Sequence, residues 1–256
     1  MSSHFKDQVV VVTGAAGGIG MEVVREFLSA GAKVIMSDRN EELGRSAISS
    51  LPAAHADCAS FIACDIADET SIDRLYEHVA KQFSRLDIVI NNAGIDGELG
   101  SLDQQTTQNI DNVLSVNVRG TALSMRAALR IMRHQRSGVI VNVASIAGHV
   151  GFAGSPIYTA SKHAILGLTK AAALENARNG IRVCAVSPGA VDTDMTNRFT
   201  GRDAAAKANM IDGIPLGRMC EPSEIAKGIL FMSSPGAALL VGHTLNLDGG
   251  WAGVKA

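Results

Sequence analysis

The chain has 256 residues, 46% hydrophobic and 19% charged, a balance that excludes intrinsic disorder and suffices for one large core. Lys and Arg number 23 against 25 Asp and Glu, a net charge of −2 that gives no field to draw the protein onto nucleic acid or anionic lipid. Cys58, Cys64, Cys184 and Cys220 show neither CxxC spacing nor the density of a secreted scaffold, so no metal site is implied and free thiols in a reducing, cytoplasmic setting are expected.

Met1-Ser2-Ser3-His4-Phe5-Lys6-Asp7 has no apolar targeting core and leads almost at once into the strand Val9-Val10-Val11-Val12. The next segment puts Ile19, Val23, Val24, Phe27 and Leu28 on one helical face and ends at Gly31. A strand follows at 33–37, a helix from about Glu41, a strand around 60–64, and a helix with Ile72, Leu75, Val79 and Phe83 on one side. Then come a strand at 86–90, a long helical stretch through Arg133, a strand at 139–143, and a helix from about Tyr158 to Arg178. A strand at 182–186, a helix near 222–232 and a strand near Thr244–Leu247 close the series. Two uncharged stretches, 137–161 and 228–247, are broken by Asn142, Ser145 and Pro156 and by Ser233-Ser234-Pro235-Gly236, so neither reads as a membrane span. Apolar strands separated by helices belong in a parallel sheet covered on both faces. With no repeat or linker, the expected fold is α/β, doubly wound, in a single domain over 1–256.

Such sheets bind ligands outside the carboxyl ends of their strands, so the residues after each strand carry the chemistry. The first turn, Thr13-Gly14-Ala15-Ala16-Gly17-Gly18-Ile19-Gly20, has side-chain-free positions that let backbone approach a pyrophosphate at a helix N-terminus. Its spacing, Gly14-x3-Gly18-x-Gly20, is not the usual G-x-G-x-x-G, and such a turn also serves packing. The second strand ends at Asp38, whose carboxylate suits an adenosine ribose and repels a 2′-phosphate, favouring NAD over NADP. Arg39 could instead hold that phosphate, and a helix cap is the plain alternative for Asp38. Tyr158 and Lys162 fall four apart on one helical face, beyond a strand that leads to Ser145. A phenol with a pKa of about 10 is barely ionised at neutral pH, so a tyrosine base needs the neighbouring cation that Lys162 supplies. A surface amphipathic pair is the alternative.

Taken in order, Thr13 to Gly20, Asn91-Asn92-Ala93-Gly94, Asn117, Ser145 and Tyr158-x3-Lys162 closely resemble the short-chain dehydrogenases/reductases over nearly the whole chain. Asp65, Pro188-Gly189 followed by Thr193, and Leu247-Asp248-Gly249-Gly250 extend the likeness. The resemblance implies a seven-stranded Rossmann sheet and an NAD cofactor, NADP being possible, bound at Gly14, Gly18, Ile19, Gly20 and Asp38. Asp65 and Ile66 would flank the adenine, and Asn91, Ala93 and Gly94 would support the cleft. Pro188, Gly189 and Thr193 would hold the nicotinamide, with Val191 on the same cofactor-binding stretch. The resemblance makes Tyr158 the general acid/base and has Lys162 bond the nicotinamide ribose and lower the tyrosine pKa. Ser145 would polarise the substrate oxygen, and Asn117 would hold a proton-relay water.

The resemblance further implies that residues 194–219, 147–155 and 96–101 close the substrate pocket, with Phe152, Met195, Phe199, Met210 and Ile211 as bulky groups. That lining suits a ketone or secondary alcohol better than a polyanion, and His149 reads as a surface histidine, with a place in the pocket lining as the alternative. The expected protein is an NAD(H)-preferring oxidoreductase interconverting such a pair. The resemblance also implies a homotetramer that pairs the Tyr158 helix and the long helix before it across subunits. Arg126, Arg130, Arg133 and Arg136 read as a solvated helix end. Similarity to the family's 3-oxoacyl carrier-protein reductases, which dock an acidic partner on basic residues in this neighbourhood, would instead imply an NADPH-dependent 3-oxoacyl thioester reductase. A non-catalytic dinucleotide sensor is the alternative of another class, against which the full set Asn117, Ser145, Tyr158 and Lys162 argues.

Overall fold

The computed structural model describes residues 3–252; Met1 and Ser2 of the N-terminal reading and residues 253–256 of the expected single domain lie outside the described residues. From β1 (Val9–Thr13) the chain passes through α1 (Gly18–Ser29), β2 (Lys33–Asp38), α2 (Glu41–Ser49), β3 (Ala59–Ala63), α3 (Glu69–Phe83) and β4 (Ile88–Asn91). It continues through α4 (Thr107–Val113), α5 (Thr121–Gln135), β5 (Gly138–Val143), α6 (Pro156–Asn176) and β6 (Ile181–Pro188). α7 (Asp194–Phe199), α8 (Ala204–Asp212), α9 (Pro222–Ser233) and β7 (Thr244–Leu247) follow.

Four consecutive valines suit β1 because branched side chains fit a pleat, and every residue of that strand is buried. Val10 and Val12 enter one apolar cluster and Val9 and Val11 the other, as alternate side chains of a strand must. β2 repeats the pattern, with Val34 and Met36 on the first side and Ile35 on the second. Burial on both faces is why these strands read as continuous apolar runs. α1, α2 and α9 cover one face and α3, α5 and α6 the other. Each buried valine or isoleucine contributes about 1.5–3 kcal/mol, so the two clusters hold the layers together.

The strands run parallel in the order β3-β2-β1-β4-β5-β6-β7. This is the seven-stranded, doubly wound Rossmann sheet that the resemblance implies. Chain direction across the sheet reverses between β1 and β4, and the crevice at their carboxyl ends is where such sheets take ligands.

Two features depart from the expected elements. The long helix through Arg133 is divided, because Leu114–Gly120 between α4 and α5 form a π turn. Residues 194–219 contain α7 and α8, whose starts are capped by Thr193 and Asp203 accepting from the N–H groups of Thr196 and Ala205. No helix of the described residues is long and apolar enough to cross a membrane.

Candidate active site

Thr13 fixes the first turn. Its hydroxyl accepts from the N–H groups of Asn92 and Ala93 at 3.1 and 3.2 Å, while the Asn92 amide donates to the carbonyls of Thr13 and Gly14 at 3.1 and 2.9 Å. The turn after β1 is thereby laced to the turn after β4. A Cβ on Gly14, which has φ +64°, would stand 2.8 Å from Ala93 Cα, and one on Gly20 would stand 2.1 Å from the Gly14 carbonyl oxygen. These two glycines let backbone segments touch. The open cradle lies at Gly17 and Gly18: among the described residues nothing is within 4 Å of a Cβ on Gly17, and only Thr193 approaches Gly18, at 3.5 Å. α1 starts there with no acidic residue in its first turn and no side-chain cap, leaving its N–H groups and dipole for an anion. Glycine spacing does not single out Gly17; its signal is the N-cap position just before Ile19 and the helical run.

Asp38 ends β2 beside this cradle, its carboxylate accepting from Ala16 N–H at 3.2 Å and Asn40 N–H at 3.1 Å. Asp65 is exposed and accepts from Ala67 N–H at 2.9 Å, and Ile66 is buried against Gly120. The Asn91 side chain is committed to the interior: it donates to Asn142 Oδ1 at 2.8 Å and accepts from the Ser124 hydroxyl at 2.6 Å. Pro188 ends β6, and a Cβ on Gly189 would stand 2.8 Å from Asp248 Cα. Val191 is buried and bridges to Cys220.

A Cβ on Gly94 would stand 3.2 Å from Asn117 Oδ1 and 3.6 Å from Lys162 Nζ, so the β4 turn, the π turn and α6 meet there. Asn117 is fully buried; its Oδ1 accepts from Ile95 N–H at 2.8 Å, and its Nδ2 donates to Ile95 O at 2.9 Å and Ser161 Oγ at 3.0 Å. Both amide donors are thus spent on protein, and the side chain anchors the segment after β4. Ser145 follows β5 and accepts from Ala147 N–H at 3.1 Å. Tyr158 and Lys162 project from the first turns of α6, which Pro156 starts.

Lys162 is buried, donates from Nζ to the Val143 carbonyl at 3.0 Å and lies 5.4 Å from the centroid of the Tyr158 ring. Burial brings its pKa down to about 8. Tyr158 is pushed up to about 12, by burial first; the Ser145 hydroxyl pulls it partly back and the Asp96 carboxylate adds to the rise. The Lys162 ammonium thus lies over the face of the Tyr158 ring while it donates to the Val143 carbonyl. His149 is exposed, as expected, while its Nε2 reaches Ser187 Oγ at 3.0 Å. Two of the four stripe arginines are partnered within the chain: Arg126 with Glu69 at 2.6 Å, and Arg133 with Asn176 Oδ1 at 2.7 Å.

A family model described as enoyl-(acyl carrier protein) reductase matches residues 14–252. The cis-4-hydroxycyclohexanecarboxylate dehydrogenase of Sinomonas cyclohexanicum is 38% identical over 254 residues, covering 99% of this chain and 100% of that protein. The chain belongs to the short-chain dehydrogenase/reductase family. This short-chain dehydrogenase/reductase is an oxidoreductase, and the cofactors of its family are NAD and NADP. The crystal structure of levodione reductase matches it with a TM-score of 0.95 at 32% identity, covering 98% of this chain and 100% of that one. ElxO with NADP bound matches with a TM-score of 0.90 at 33% identity, covering 96% and 98%.

Proposed function

We propose that the protein is an NAD(H)-preferring oxidoreductase interconverting a secondary alcohol and a ketone, with Tyr158 as general acid/base. The convergence of Asn117, Lys162 and the β4 turn at Gly94, with the Lys162 ammonium 5.4 Å from the centroid of the Tyr158 ring, carries the reading. Relatives named for a hydroxycyclohexanecarboxylate and for levodione support the substrate class.

The residues fit the cofactor. Gly17, Gly18 and the uncapped start of α1 would take the pyrophosphate, and Asp38 the adenosine ribose. Asp65 and Ile66 would flank the adenine, and Pro188, Gly189, Val191 and Thr193 the nicotinamide. When bound, the nicotinamide supplies the hydride chemistry. Ser145 donates to the substrate oxygen and orients it. The Tyr158 O–H gives its proton to the ketone oxygen in reduction, and the phenolate takes it back from the alcohol in oxidation. With its pKa near 12, Tyr158 rests as the phenol, the form reduction needs. Lys162, with a pKa near 8, is mostly a cation at neutral pH and stabilises negative charge as it forms on the tyrosine.

Asp38 carries the cofactor preference. Asp38→Ala removes the carboxylate that would oppose a 2′-phosphate, and kcat/KM for NADP relative to NAD is expected to rise about tenfold or more, since juxtaposed like charges cost several kcal/mol. Initial rates with both cofactors check this, and a wild-type enzyme that already favours NADPH contradicts it. The exposed Arg39 and the NADP-bound ElxO neighbour favour that second reading.

The same reading includes a homotetramer in the cytoplasm. α5 and α6 leave a groove whose apolar floor includes Met125, Leu129, Leu168 and Ala171 and whose lining also carries Arg126, Arg130, Arg133 and Glu175, and Leu174 on α6 is 84% exposed. A second copy of these helices would cover that surface. Sedimentation velocity is expected to give a tetramer, and a stable monomer contradicts it. The four free cysteines suit a reducing compartment.

A further inference from the structure

The chain's one tryptophan, Trp251, lies in the turn after β7, outside the segments expected to close the pocket. Asp248 sets that turn. Its buried carboxylate accepts from the N–H groups of Gly250 and Ala252 at 2.9 and 2.8 Å, and its Cα packs against Gly189 too closely to admit a Cβ there. The turn is therefore fastened to the end of β6, at residues assigned to the nicotinamide.

From this anchor Trp251 reaches two other segments. Its ring stands edge to face with Phe152, centroids 5.8 Å apart at 73°, and Phe152 lies in the loop that joins Ser145 to Tyr158. Trp251 also packs with Met210 and Ile211 of α8 over the buried Ala190, Ile214 and Met219. Trp251, Phe152, Met210 and Ile211 are each only partly buried, so apolar surface stays uncovered where the three segments meet. Asp96 and Arg198, charged residues of the neighbouring pocket segments, pair with each other at 3.6 Å and leave that surface without an unmatched charge from either.

We infer that the C-terminal turn is a wall of the substrate pocket, and that Trp251 with Phe152 receives the hydrocarbon flank of a neutral secondary alcohol or ketone. The inference rests on the reaction proposed above. A broad aromatic face gains contact with every methylene of a ring or chain laid on it, and a substrate with only methyl groups leaves most of that face wet.

Initial rates with NAD on wild type, Trp251→Ala and Trp251→Phe, using cyclohexanol and 2-propanol, test it. The ratio of kcat/KM for cyclohexanol to that for 2-propanol is expected to fall about tenfold or more in Trp251→Ala and to recover largely in Trp251→Phe. A merely structural role would lower both alcohols in step. A ratio unchanged within about twofold therefore overturns the inference while the reaction stands. Wild-type protein that oxidises neither alcohol overturns the reaction, and the inference with it. A second readout needs no variant: cyclohexanone added to the wild-type NAD complex is expected to change the emission of the single indole saturably. Unchanged emission at concentrations that inhibit cyclohexanol oxidation overturns the inference.

Discussion

Tyr158→Phe is expected to lower kcat about 10³-fold or more while NADH binding, followed by fluorescence, stays within a few-fold. The substitution keeps the ring that packs beside Lys162 and removes only the oxygen that exchanges a proton with the substrate. Positioned proton transfer typically contributes about 10²–10⁴ in rate, and the second of the two tyrosines, Tyr76, is buried against Ser124. The nucleotide contacts assigned to the glycine turn, Asp38 and β6 are untouched, which is why binding and turnover should separate. A Tyr158→Phe variant with full activity would remove the tyrosine from the mechanism.

Lys162→Met is expected to act on rate and stability in opposite directions. Turnover should fall about 10²-fold or more, because the cation that favours the phenolate is gone. Stability behaves otherwise, since the native state holds a buried ammonium whose pKa is near 8 against 10.5 for a free lysine. Between those values the unfolded chain binds more protons than the folded one. Wild-type stability from this group therefore rises with pH across that window, and its cost is greatest at pH 7 and below. The cost is on the order of 3 kcal/mol at pH 7, set against about 1–3 kcal/mol for leaving the Val143 carbonyl without its donor. The pH dependence is the sharper readout. Urea denaturation should show the stability of the variant relative to wild type declining by about 2 kcal/mol between pH 7 and pH 10. A difference that does not move with pH would mean that Lys162 is not held as a strained cation.

Much of this architecture was legible in the residues, for physical reasons that also mark the limits. Strands buried on both faces write themselves as apolar runs, so β1 and β2 fall within a residue of where the sequence places them. Tyr158 and Lys162 were legible because one helical turn separates them. The π turn at Leu114–Gly120 was not, because its key contact is tertiary: Asn117 bonds Ile95, which precedes it by 22 residues. The division of labour among the glycines was hidden for the same reason. Whether a Cβ is forbidden at Gly14 depends on Ala93, and the openness of Gly17 depends on what fails to approach it. Asn91 reads as a cleft residue in its motif, yet its amide meets Asn142 and Ser124, neither of which its local sequence announces. The upward shift of Tyr158 likewise comes from burial and from Asp96, which only the folded chain brings near.

The central claim is hydride transfer from the carbinol carbon of a secondary alcohol to NAD. Wild-type protein incubated with NAD and cyclohexanol deuterated at that carbon, followed by mass spectrometry of the nucleotide, tests it most directly. The expected product is NADH carrying one deuterium, formed in step with cyclohexanone. NADH free of deuterium, or no NADH from the alcohol at all, contradicts the reading.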